Sequence, residues 1–231
     1  MRARLWAKGG ILPCPAARNA STVRGTAQRQ DIDDVTDETA ALERRFAFLA
    51  EIDGLKAVLR QNRTIGERRR ENSAEHSWHL AMFALVLGDH APGLDMGRVV
   101  AMLLVHDIVE VDAGDVPIHG AYDAAALALI EEAAAERIFG LLPEPQRDRF
   151  LALWREFEAV ETAEARFAKA LDRLQPLLLN TLTEGGTWAE NGLSEAQVMA
   201  RYRPVIERGI PGLWPFVEAL VRRHYRGAAT A

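Results

Sequence analysis

The mostly apolar run from Val99 to Val111 carries an imidazole and a carboxylate side by side, His106-Asp107. Its spacing is that of a helix with a buried face, and burial strips both polar groups of their hydration. A packed interior accepts such a helix only where other elements bring partners to the doublet. A divalent cation or an internal salt bridge would meet that demand.

The rest of the chain indicates which elements those are. From Asp37 onward nearly every segment has helical periodicity, with Ala, Leu, Glu and Arg prominent and few β-branched runs, which predicts an all-α fold, a compact multi-helix bundle. Asp37 is a cap for a first helix running to about Leu55, whose stripe Leu42, Phe46, Leu49, Ile52 is expected to face the core. Residues 60–74 are polar, contain Gly66 and read as a connection. Further helices are expected over Ser73–Gly88, Asp95–Val111, Asp123–Leu142, Gln146–Ala159 and Thr162–Thr183. The last of these is apolar around most of its circumference, as suits a central position. Two more follow, from Ser194, with a capping box to Gln197, to Arg208 and from Pro211 to Tyr225. Residues 1–35, with no acidic residue before Asp31, read as a disordered N-terminal tail, with a transit peptide as the alternative. Residues 36–228 are expected to form a single domain.

Composition narrows the function. A net charge of -5 supplies no field for a nucleic acid polymer, although a small anion needs only a local basic patch. The single cysteine, Cys14, excludes an intrachain disulfide and a Cys-based zinc site and fits a reducing cytoplasm. No apolar run approaches the roughly 20 residues needed to span a bilayer.

His76 opens the second predicted helix, the doublet lies late in the third, and Asp172 interrupts the apolar run of the sixth. Two imidazoles and two carboxylates suit a borderline divalent cation and leave coordination positions for water and substrate. Glu110 follows the doublet by one helical turn and shares its face, while Asp115 follows Gly114 on the loop that leaves the helix. Lys169, one turn before Asp172, is placed to orient it or neutralise its charge. His79 reads as a neighbour on the helix face, and the run Arg68-Arg69-Arg70, just upstream of His76, is placed to contact phosphate.

This order and spacing resembles the HD-domain metal-dependent phosphohydrolase superfamily. The stretches ENSAEHSWH (Glu71 to His79), HDIVEVDAGD (His106 to Asp115) and KALD (Lys169 to Asp172) are similar to the branch that contains the bacterial 5'-deoxynucleotidases and their eukaryotic HD-domain-containing relatives, over about Leu55 to Leu179. The resemblance implies an HD-domain bundle holding one divalent metal ion (Mn, Co, Fe, Zn or Mg) through His76, His106, Asp107 and Asp172. It implies that Glu110 and Asp115 handle protons and position substrate, and that Arg60, in LKAVLR, contacts phosphate, with Arg63 and Arg70 as further candidates. In the deoxynucleotidases a tryptophan follows that arginine, where this chain has Gln61, so the choice between ribose and deoxyribose stays open. The implied activity is a 5'-nucleotidase, a phosphomonoesterase acting on nucleoside 5'-monophosphates as a homodimer. An HD-type phosphodiesterase or pyrophosphohydrolase, or a nucleotide-binding regulator without turnover, are the alternatives.

Overall fold

In the computed structural model of the chain, the residues described are 27–66, 69–120 and 123–228, with side chains from residue 37. Cys14, Arg68 and residues 1–26 of the predicted tail lie outside them. The chain divides into two units, Met1–Ala40 and Ala41–Ala231. The described part of the first is helical and belongs to α1 (Ala27–Ile52). The helix therefore starts ahead of Asp37, because Ala27-Gln28-Arg29-Gln30 are good helix formers and extending a helix is easier than nucleating one.

Among the described residues the second unit is all-α apart from one hairpin, β1 (Leu59–Arg63) with β2 (Arg70–Asn72). Its helices are α2 (Ser73–Leu87), α3 (Met96–Val105), α4 (Glu110–Ala113), α5 (Ala124–Phe139), α6 (Glu144–Ala159), α7 (Ala163–Leu182), α8 (Gly186–Glu190), α9 (Glu195–Gly209) and α10 (Trp214–Ala228). The starts follow local chemistry. Asp95, Asp123, Thr162 and Ser194 each accept a backbone N–H in the first turn of the helix they precede, and Ser194 with Gln197 completes the expected capping box. α7 is central as predicted: α2, α3, α6 and α9 all pack on it, and Phe167, Leu171, Leu174 and Leu177 are buried along it.

The buried face of α1 and the segment after Arg60 differ from expectation, and α8 was not expected. The stripe Leu42, Phe46, Leu49 is 44–69% exposed, and Phe48 is the buried residue of that turn. Arg44 decides the rotation: its guanidinium donates to the carbonyls of Gly140 (3.0 Å), Leu141 (3.2 Å) and Leu142 at the end of α5. Phe48, four residues on, shares that inward face. The polar segment after Arg60 is also more than a connection. β1 and β2 pair antiparallel with Leu59 opposite Asn72 and Arg63 opposite Arg70. No hydrophobic alternation announces these strands, because their anchors are ionic.

The doublet sits where two apolar clusters meet. Leu103 belongs to the cluster around α7, while Val105, Ile108 and Val109 belong to the one formed by α5, α6 and Phe48. The predicted third helix ends at Val105 and tightens into a 3-10 turn over His106–Val109 before α4.

Candidate metal centre

Four elements converge on the doublet: the hairpin, α2, the 3-10 turn with α4, and α7. His76, His106, Asp107 and Asp172 are all buried. Ligand atoms of His76, His106 and Asp107 lie within 4.8 Å of one another. Asp172 adjoins them, its Oδ1 3.1 Å from His76 Nε2 and 3.8 Å from His106 Nε2. The order of residues predicted as ligands is thus realised as one cluster, from three separate elements.

The hydrogen bonds behind each imidazole determine what it offers in front. Gln175 is fully buried and donates through Nε2 to Glu71 Oε1 (2.7 Å) and to His79 Nδ1 (3.2 Å). Its Oε1 therefore faces His76 Nδ1 at 3.0 Å and accepts that N–H. The lone pair of His76 Nε2 is left pointing at Asp172. His106 Nδ1 likewise donates to the Leu103 carbonyl at 2.9 Å. Its Nε2 is buried without a hydrogen-bond partner, 2.8 Å from Asp107 Oδ1. Two imidazole lone pairs facing two carboxylates repel unless a cation sits among them. A divalent metal fits this donor set, with His76, His106, Asp107 and Asp172 to hold it.

Protonation tendencies agree. Burial, reinforced by Arg60, pushes His76 down to about 4, so its imidazole is neutral at pH 7. Burial also lowers His106, but Asp107 and Asp172 outweigh it and raise the group, since a proton is the other cation those carboxylates accept. Burial works against ionised Asp107 and Asp172, yet His106 and Arg60 hold the first below the usual carboxylate range, and Arg173, with His106 nearby, holds the second there.

Arg60 occupies the mouth of the cluster. Its Nη1 lies 3.0 Å from Asp107, 3.1 Å from Asp115 and 3.7 Å from Glu110. Gly114 makes the Asp115 contact: at φ 74° it takes a left-handed turn that a side chain would oppose, and this folds Asp115 back over the opening. Glu110 accepts from Ser73 Oγ. Burial, with Asp107 and Asp115 nearby, pushes Glu110 up to about 9, and burial raises Asp115 in the same direction. Glu71 rises to about 7 on burial, a shift that Arg60 and Gln175 limit. A polar cleft lined by Arg60, Gln61, Asp115, His119, Arg173 and Tyr202 opens beside the cluster.

The other predicted phosphate contacts are elsewhere. Arg63 and Arg70 both pair with Glu190 of α8, at 2.9 and 3.0 Å, and tie the hairpin down. Arg69 pairs with Glu75 of α2. Lys169 is not the partner of Asp172: it pairs with Glu158 at 3.3 Å and covers the Phe157 ring, while Arg173 donates to Asp172 Oδ2 at 3.0 Å. Lys169, one turn away along α7, is drawn across to α6, whereas the residue next to Asp172 shares its edge of the helix.

Sequence reasoning missed Glu71, Gln175 and Arg173. Gln175 carried the same signal as the doublet, a polar residue inside an apolar run. Gln175→Leu is expected to weaken metal affinity by about 10–100-fold, the usual effect of losing an outer partner of a ligand histidine. Metal titration against a chromophoric chelator measures this, and an unchanged affinity would remove Gln175 from the centre.

A model of the HD domain family matches residues 52–214. The crystal structure of a predicted metal-dependent phosphohydrolase from Magnetospirillum magnetotacticum MS-1 is 49% identical with a TM-score of 0.75, over 81% of this chain and 96% of that one. The 5'-deoxynucleotidase HDDC2 of Homo sapiens is 34% identical over 111 residues, 48% of this chain and 53% of the human protein. A 5'-deoxynucleotidase of Erwinia tasmaniensis is 32% identical over 136 residues, 55% of this chain and 68% of that one. The chain thus spans about half the length of the human relative. With the family's model covering the hairpin, the doublet and Asp172 together, the chain belongs to the HD domain family.

Proposed function

We propose that this protein is a metal-dependent phosphohydrolase that releases phosphate from nucleoside 5'-monophosphates. The observation that carries the reading is the pair of inward imidazole lone pairs beside Asp107 and Asp172, with Arg60 at the mouth. The family and the names that the relatives carry support it. A divalent cation held by His76, His106, Asp107 and Asp172 supplies Lewis acidity and brings the pKa of water toward neutrality.

The chain's own residues do the rest. Arg60 turns from its carboxylates to the phosphate and balances charge on its equatorial oxygens. Water attacks phosphorus as the bond to the 5' oxygen breaks. Glu110 takes the water's proton, and Asp115 hands a proton to the departing alkoxide. Burial favours the protonated form of Asp115, as an acid requires. Glu110 needs the opposite form, which a dication held by the four ligands would favour. Arg63 and Arg70 act at a distance by holding the hairpin that carries Arg60. Gln61 and Asn62 line the cleft next to Arg60 and face the nucleoside.

Two further parts belong to this reading. Uncovered apolar faces, Leu42, Phe46 and Leu49 on α1 and Trp78, Leu85 and Val86 on α2, support a homodimer. A light-scattering mass of one chain would remove that part. Among the described residues no helix is long and apolar enough to cross a membrane, and the lone Cys14 supports a reducing cytoplasm. Phosphate release from a panel of ribo- and deoxyribonucleoside monophosphates with Mn²⁺, Co²⁺, Fe²⁺, Zn²⁺ or Mg²⁺ tests the activity. No release with any pairing would overturn it.

A further inference from the structure

We propose that the groove between α7 and α9 is a second anion site, for a small molecule that carries clustered phosphates. Arg166, Lys169 and Arg173 stand on one face of α7 at three- and four-residue steps, and Arg208 reaches the same groove from α9. The helices are held together here by Gly209. A Cβ at that position would lie 2.3 Å from the Arg166 carbonyl oxygen and 2.6 Å from Ala170 Cβ, so only glycine lets α9 come this close. Its neighbour Arg208 is thereby brought to the groove. The space is about 340 Å³, with Val160, Pro204 and Val205 completing its walls.

The charges are incompletely balanced. Lys169 pairs with Glu158, and Arg173 with Asp172. Arg166 and Arg208 instead donate to the neutral carbonyls of Glu161 (2.8 Å) and Val160 (3.4 Å), and among the described residues neither has a carboxylate partner. No carboxylate side chain lines the groove. Two guanidinium groups with donors to spare, flanked by two further cations, suit a chain of phosphates rather than a single carboxylate. Arg173 also lines the cleft beside the metal centre, so the two spaces share one cation. The groove does not depend on the proposed reaction: Arg173 touches the proposed ligand Asp172, but none of the groove's residues is itself a proposed ligand, Glu110 or Asp115, and Arg166 and Arg208 touch none of them.

Calorimetric titration of the metal-loaded full-length protein with tripolyphosphate, and separately with ATP, tests this. R166A/R208A is expected to lose one binding event, or weaken it by about tenfold or more, while turnover of nucleoside monophosphates is unchanged. R166Q/R208Q, which keeps more of the side-chain bulk, is expected to do the same. R222A/R223A removes equal charge from exposed positions on α10 and is expected to leave binding intact. ATP binding tighter than tripolyphosphate would assign a nucleotide, and equal affinities the phosphate chain alone. Unchanged binding in both groove variants, or equal weakening in the α10 variant, would overturn the site. Because the readout is binding, loss of the proposed reaction would leave this result distinct.

Discussion

His106→Ala is expected to yield a folded protein that retains no stoichiometric divalent cation and whose phosphate release falls to background. The imidazole is the most committed of the proposed ligands. Its Nδ1 is spent on the Leu103 carbonyl, the ring packs 4.5 Å from the Phe157 centroid, and Nε2 is buried with no hydrogen-bond partner. Alanine removes that donor and leaves Asp107 and Asp172 facing each other across one neutral imidazole, His76. Two carboxylates brought together without their cation repel, so the protein without metal is also destabilised at neutral pH. Metal content per chain by atomic emission, phosphate release and circular dichroism measure the three effects. Metal retained at one per chain would displace His106 from the ligand set.

Glu110→Gln is expected to separate proton transfer from metal binding. Turnover should fall about 10²-fold or more, as for loss of a general base, with metal content unchanged. Full activity would remove Glu110 from the mechanism. The same substitution has a pH signature in the chelated protein. Glu110 has an ordinary value of 4.5 and is pushed up to about 9 by burial beside Asp107 and Asp115. Between those values the native state holds one more proton than the unfolded chain. The contribution of this group is therefore complete below about 4.5 and is lost as pH rises through about 9. Glutamine cannot ionise, so the Tm of E110Q relative to the original chain should climb from pH 5 to pH 9. For a chain of this length each kcal/mol relieved corresponds to about 2–4 °C. A constant difference across that range would show that Glu110 is not held as the buried geometry requires.

These two experiments rest on residues that the chain itself advertises. The doublet, His76, Asp172, Glu110 and Asp115 were legible because each is a polar residue at a helical interval in, or just after, an apolar run, where burial demands a partner. The helix boundaries at Asp95, Asp123, Thr162 and Ser194 were legible for a different reason, since capping is completed within three residues. The hairpin around Arg60 was not, because neither strand has the alternation of apolar and polar residues that marks a half-buried strand. The rotation of α1 was not legible either. The stripe Leu42, Phe46, Leu49 was a better hydrophobic pattern than the face that is buried, and carbonyls at the end of α5 bound by Arg44 overrode it.

What remained hidden concerns partners. Arg63 and Arg70 have the same local setting as Arg60, a polar stretch rich in arginine, yet one arginine sits among Asp107, Glu110 and Asp115 and the other two on Glu190. The assignment depends on where Asp107, Glu110, Asp115 and Glu190 come to lie after folding, and those are 47 to 127 residues away along the chain. Likewise Gln175 becomes the residue that orients His76 through a contact 99 positions apart. The all-α character, the caps and the polar residues set into apolar runs are local consequences of residue type and period, so the amino-acid order was enough to indicate the fold class and the candidate ligands. Which guanidinium sits at the mouth of the cluster, which amide orients the histidine and which cations surround the α7–α9 groove are matters of distance between remote segments, and those distances exist only once the helices have packed around α7.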